Sequence, residues 1–284
     1  MFWNQFKTFI LLFCLSALLF LVGHWIGGSN GLVFAFGFAL IMNVVAYFYS
    51  DKLVLKMYKA VPLDQGKFGH IYDMVEDLCH NANMPMPKLW YIKTPMANAF
   101  ATGRNPKHAS VAVTQGILET LEDYELRGVL AHELSHVRNR DILVATVAAT
   151  IAMAIAYLAD IFRWSLIFGG RDSRNRTSGF AAIVIALLMP IAAMMIQMAI
   201  SRSREYLADE SGASISDDPL ALASALEKLH HNAKAQKMKP QSNVQTSTAS
   251  LFIVYPFLSR GLISLFSTHP PMQKRIERLR RMAK

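Results

Sequence analysis

Four apolar stretches, each about as long as a membrane span, punctuate this 284-residue chain at residues 8–27, 31–50, 142–162 and 180–200. A helix crossing a ~30 Å hydrocarbon core needs about 20 apolar residues, so these runs constrain the fold more than any other feature. The first two hold no charged residue, and Gly28-Ser29-Asn30 between them has the composition of a tight turn. Together they predict a helical hairpin. The third run carries Asp160 only near its end, and the fourth contains Pro190, which membrane helices tolerate. A cleaved signal peptide is the alternative for the first run. A second span directly after it, and no convincing small-x-small cleavage site, favour a retained anchor. The composition agrees: 17% of residues are charged and the mean hydropathy is +0.26, against about 25% charged in an ordinary soluble domain.

Four spans would bring residues 51–141 and 201–284 to the same side as the N-terminus. Near the span ends that side carries Lys7, Lys52, Lys56, Lys59, Arg138, Arg140, Arg202 and Arg204, against Arg171, Arg174 and Arg176 on the other. The excess predicts that the large segments lie in the cytoplasm, although the Arg-rich loop is basic for an outside loop. The formal charge of +9 fits an anionic membrane surface, and no nucleic-acid partner is expected. Cys14 and Cys79 stand in unlike contexts, so no disulfide between them is expected. The expected organisation is a transmembrane hairpin over 1–50, a cytoplasmic segment over 51–141, a second hairpin over 142–200 and a second cytoplasmic segment over 201–284.

Residues 51–141 read as α+β. Phe68, Ile71, Val75 and Leu78 give residues 64–82 a helical stripe, stopped by Met84-Pro85-Met86-Pro87. Three short β-like runs follow at 89–92, 98–102 and 110–114. Thr120-Leu121-Glu122-Asp123 has the form of a capping box opening a helix, and Arg138 and Arg140 suit its negative end.

That helix contains His132-Glu133-Leu134-Ser135-His136. At about 100° of rotation per residue, positions i and i+4 share a face, so both imidazoles can hold one ion. Zn²⁺ suits imidazole, and a catalytic site takes three protein ligands plus a water whose pKa the ion lowers to ~7. Glu133, turned off the ligand axis, has the placement of a general base acting on that water. Residues 137–142 supply no third histidine. Ser201-Arg202-Ser203-Arg204-Glu205 and its continuation to Asp209, directly after the fourth apolar run, supply an acid instead. Glu205 can complete a His₂Glu set, and Asp209 one turn on can fix the tautomer of His132. The competing readings of Glu205 are an ion pair with Arg202 or a place on an exposed helix face. The polar Glu122-Asp123-Tyr124-Glu125 keeps the motif outside the bilayer core.

His-Glu-Leu-Ser-His with Asn139 and Asp141, the run ending at Asp209, Asn98-Ala99-Phe100-Ala101-Thr102-Gly103 and Thr268-His269-Pro270-Pro271 together resemble the HtpX heat-shock membrane proteases. That bacterial branch resembles the CAAX-prenyl zinc proteases, and the likeness covers essentially the whole chain. It implies a zinc endopeptidase of the bacterial inner membrane, multi-pass with its site facing the cytoplasm, acting on misfolded membrane proteins. The resemblance assigns one zinc to His132, His136 and Glu205, and general base and acid chemistry to Glu133. It implies that Asn98 opens an edge strand on which substrate adds as a β-strand. It also implies that His269 donates to the developing oxyanion. A turn residue and a loop-capping histidine are the plain alternatives for Asn98 and His269.

The fold class expected is therefore an α-helical membrane protein with a cytoplasmic α+β, gluzincin-like zinc peptidase domain: a small antiparallel or mixed sheet plus active-site helices. A membrane scaffold or transporter with a structural metal is the rival from another class, but its spans would carry ionisable residues, of which these are almost free. A prenyl-protein processing enzyme would need more spans. Residues 251–266 read as core packing, the basic tail 273–284 as a solvated helical face, and His230-His231 as exposed and not metal-binding. The sequence does not set the oligomeric state.

Overall fold

The computed structural model describes residues 2–152, 202–236, 253 and 270–283. Helix α1 (Phe2–Phe48) is two apolar arms meeting at Gly28, whose φ of 56° and ψ of −134° break the helix. Glycine reaches that conformation at little cost and other residues do not. The arms fold back on each other: Asn43 Nδ2 donates to Ser16 Oγ at 2.8 Å, and the Phe20 and Phe36 rings stack 6.3 Å apart. The hairpin expected from the first two apolar runs is therefore present, with its turn at Gly28. Gly28–Phe48 is long and apolar enough to cross a membrane, whereas Phe6–Leu21 is apolar but shorter. Of the third apolar run only α6 (Ile142–Ala152) is described, and the fourth run and the loop before it lie outside the described residues. Leu143, Val144, Val147 and Ile151 of α6 pack on Leu11, Leu15 and Leu18 of the first arm.

After α2 (Ser50–Met57), the chain forms a four-stranded sheet: β1 (Val61–Pro62), β2 (Lys88–Ile92), β3 (Ala99–Gly103) and β4 (Ala109–Thr114), in the order β1-β2-β4-β3. β2 and β4 run parallel and the other pairs antiparallel, so the sheet is mixed and β3 is an edge. The three β-like runs of the sequence are β2, β3 and β4. α3 (Gly69–Ala82) occupies most of the helix expected at 64–82 and stops where Asn83 turns left-handed.

α4 (Gln115–Thr120) and α5 (Asp123–Arg138) correct the expected helix start. Thr120 ends α4, its hydroxyl donating to the Gly116 carbonyl at 2.6 Å. The capping box is instead Glu122 with Glu125, whose carboxylate accepts the Glu122 N–H at 3.0 Å. Glu125, fully buried, also accepts from Ser224 Oγ at 2.6 Å and Lys228 Nζ at 2.7 Å. Tertiary partners therefore chose the cap.

α5 packs between α7 (Arg202–Ser216) and α8 (Pro219–Gln236), with α9 (Met272–Met282) against both. Two glycines set those approaches. A Cβ on Gly212 would stand 2.9 Å from His132 N and Cα, and one on Gly128 would stand 2.6 Å from Leu222 N. The tail is not a merely solvated face: Arg275, Ile276 and Leu279 are buried, Arg275 completely. Cys14 and Cys79 are both free.

Candidate active site

α5 presents His132 and His136 on one face, their rings 4.8 Å apart between centroids. α7 brings Glu205 to them, with Oε2 3.9 Å from His132 Nε2 and Oε1 3.6 Å from His136 Nε2. The three ligand atoms lie within 4.8 Å of one another. Ligands about 2.0–2.1 Å from a tetrahedral ion are ~3.4 Å apart, so two imidazoles and a carboxylate at these separations fit a metal of the zinc type. Glu205 is only 7% exposed; it is no exposed-face acid.

Each imidazole has a carboxylate at its other nitrogen. His132 Nδ1 lies 3.0 Å from Asp209 Oδ1, and His136 Nδ1 lies 3.4 Å from Asp141 Oδ2. Such partners fix ring orientation and leave Nε2 free to ligate. Asp141 is placed by the way α5 ends. The Asp141 N–H bonds back to the His136 carbonyl at 2.9 Å and the Arg140 N–H to Val137 at 3.1 Å, around Arg140 at φ 58°. This is a Schellman closure with arginine in the position usually given to glycine. The left-handed conformation costs a non-glycine residue about 1–2 kcal/mol. The closure turns Asp141 under the ring it orients.

Asp209 is held in turn by Arg275 of α9. The guanidinium donates through Nε to Oδ2 at 2.9 Å and through Nη2 to Oδ1 at 2.7 Å. Its Nη1 donates to the Ile253 carbonyl at 3.3 Å and lies 3.6 Å from Glu205 Oε2, while Nη2 lies 3.4 Å from His132 Nε2. Burial opposes the charge on Asp209, but Arg275 outweighs it and keeps the carboxyl below its ordinary range. His132 is pushed down by burial, against the pull of Asp209. In His136 burial also disfavours the cation, yet the Asp141 hydrogen bond and the Glu205 and Glu133 charges lift it to about 9.

Glu133 faces the sheet. Its Oε2 accepts the Ala101 N–H of edge strand β3 at 3.1 Å. Burial raises its pKa to about 7, with the Glu205 charge adding to the rise and His136, the Ala101 N–H and Arg275 opposing it. Asn98, 1% exposed, precedes β3. Its N–H and carbonyl are tied to Thr114, and its Oδ1 accepts from Ile253 N at 3.2 Å. Its buried Nδ2 has no hydrogen-bond partner among the described residues. His269 lies outside the described residues.

The model of peptidase family M48 matches residues 65–283. This chain belongs to family M48. As an M48 peptidase it is accompanied by close relatives of similar length. A "Protease HtpX homolog" of Syntrophobacter fumaroxidans is 51% identical over 98% of this chain and 99% of its own. Proteins of the same name from Thermococcus sibiricus and Ralstonia pickettii are 51% and 48% identical, over 98% and 99% of this chain and 95% and 97% of theirs. A crystal structure of S. mikatae Ste24p shares the fold at a TM-score of 0.51 with 18% identity, covering 97% of this chain and 65% of that one. The M48 chain is thus a membrane-associated metallopeptidase acting on polypeptides, mostly helical with a small mixed sheet.

The structure brings His132, Glu133, His136, Glu205 and Asp209 together. Sequence reasoning missed Arg275 and the orienting role of Asp141. The first left a readable sign: Met272, Arg275, Ile276 and Leu279 recur at helical spacing, so a cation stands in an apolar stripe.

Proposed function

We propose that this M48 peptidase is a zinc endopeptidase held in the bacterial inner membrane by apolar hairpins over 1–50 and 142–200. Its cytoplasmic gluzincin-like domain is then built from residues 51–141 and 201–284. The observation that carries the reading is the meeting of His132, His136 and Glu205, drawn from two helices, beside a buried Glu133 that accepts a hydrogen bond from the edge strand β3. A zinc ion held by His132, His136 and Glu205 would supply the Lewis acidity that lets a water give up a proton near neutral pH. Glu133, poised near 7, takes that proton and returns it to the leaving amine. Asp209 and Asp141 hold the two imidazoles with Nε2 toward the ion.

Substrate lies along the free edge of β3 as an added strand, its register set by backbone hydrogen bonds that read no sequence. Asn98 Nδ2, without a partner among the described residues, is the donor we assign to a substrate carbonyl, and His269 serves the developing oxyanion. Exposed Phe9, Phe13, Phe34 and Phe36 on α1 suit a lipid environment, and misfolded membrane proteins are then the substrates within reach.

Proteolysis of an unfolded membrane protein in detergent tests the reading. Glu133→Gln should keep stoichiometric zinc by atomic absorption while cleavage falls by about 10²–10⁴, and near-wild-type activity would remove the base. Glu205→Ala should lose the zinc itself; a variant that still binds one ion per chain would reassign the third ligand.

A further inference from the structure

A cavity of about 540 Å³ opens where the second arm of α1 ends, between α2 and the turn joining β3 to β4. It shares no residue with the metal-binding cluster. That volume falls within the ~300–1,000 Å³ usual for small-ligand sites. Lys52, Lys88, Arg104 and Lys107 line it against the single carboxylate of Asp51. Among the described residues none of these four cations makes an ion pair; Lys52 and Arg104 instead lie over the Tyr49 and Phe48 rings, at 5.3 and 5.4 Å. Lysine and arginine offer donors and no acceptors, so the cavity selects an anion with several oxygens.

A second observation says which anion. Phe36, Leu40, Val44 and Tyr47 recur at helical spacing on the second arm and are 63%, 58%, 46% and 37% exposed. Val44 and Tyr47 are themselves walls of the cavity. An apolar track therefore runs down a helix of spanning length and ends in a cationic pocket with aromatic rings at its mouth. A soluble phosphate would need only the cations. A two-part molecule, with an acyl chain on the track and an anionic head in the pocket, uses both.

We propose that this cavity binds the phosphodiester headgroup of an anionic phospholipid, its acyl chain lying along Phe36, Leu40 and Val44. The site stands at the Gly103 end of β3, away from Asn98, and so ties the edge strand to the membrane surface at one end. The proposal rests on the membrane placement given above.

The test uses the full chain reconstituted in phosphatidylcholine vesicles, with short-chain fluorescent phosphatidylglycerol and phosphatidylcholine as probes and glycerol phosphate as soluble competitor. Wild type should bind the phosphatidylglycerol probe at least about tenfold more tightly than the phosphatidylcholine probe. Each basic residue near an anionic headgroup is worth roughly fivefold, so Arg104→Glu with Lys107→Glu should abolish the preference. The milder Lys88→Gln with Lys107→Gln should weaken phosphatidylglycerol binding about 25-fold with zinc content unchanged, which separates loss of the site from loss of the fold. Equal binding of the two probes, a preference that survives both double variants, or full displacement by millimolar glycerol phosphate would each overturn the assignment. A chain that enters vesicles yet shows no preference refutes the cavity alone. One that fails to enter vesicles refutes the membrane placement as well.

Discussion

His132, His136, Glu205, Asp209 and Arg275 share a volume from which water is largely excluded, so each charge depends on its neighbours. Arg275 neutralises Asp209 through two hydrogen bonds, and Asp209 in turn stands against His132. Arg275→Ala should leave a buried carboxylate unpaired, costing about 3–5 kcal/mol, and should weaken metal binding about 10–100-fold. Arg275→Lys keeps the charge but not the planar fork, so it should recover part of the melting temperature and little of the metal affinity. Thermal melts beside a chelator-competition titration read both; an unchanged affinity in the two variants would reduce Arg275 to a packing role. The same neighbours give metal uptake a pH dependence. Without metal His136 keeps its proton to about 9, and a ligating imidazole must be neutral. Below 9 each ion bound displaces that proton, so apparent affinity should climb about tenfold per pH unit between 6 and 8 and flatten above 9. A flat profile over that range would contradict the raised His136.

At the scale of elements, the site is a crossing of two helices, and Gly212 sets how close they come. A methyl there would meet the His132 backbone at 2.9 Å, and one on Gly128 would meet the backbone of α8 at 2.6 Å. Overpacking of either kind costs about 1–3 kcal/mol. Only Gly212→Ala should move Glu205 away from the histidines. Its metal affinity is expected to fall at least tenfold, whereas Gly128→Ala should lower the melting temperature and leave affinity within about threefold. Equal losses in the two would show that the α5–α7 distance does not control the site. The helix carrying the motif was legible in sequence because ligand spacing and apolar stripe coincide on it. Its first turn was not: Thr120 reads as the cap by residue type, and the cap at Glu122 is fixed through Glu125 by Ser224 and Lys228, about a hundred residues further on.

Across the whole molecule, what could be read from the sequence was whatever a single helix or strand encodes by itself. The His-Glu-x-x-His face, the Glu205 and Asp209 one turn apart and the apolar hairpin broken at Gly28 are all local patterns. Arg275 was hidden because its partner lies 66 residues away, and in a basic amphipathic tail one more arginine resembles its solvated neighbours. Asp141 was hidden for a different reason: it reaches His136 only through the left-handed turn at Arg140, a conformation that arginine does not advertise. The charge cluster beside the second arm draws on β2, α2 and the β3–β4 turn, so no stretch of sequence displays it.

The spacing of Arg275 from His132, 143 residues, bears on the order of synthesis. A ribosome delivers the histidine pair early, the acidic partners later and the guanidinium that steadies them later still. While the chain is being made, the candidate centre has its acidic and imidazole groups without their clamp. The peptidase is thereby kept from full strength until α9, which follows both ligand-bearing helices in the chain, has docked.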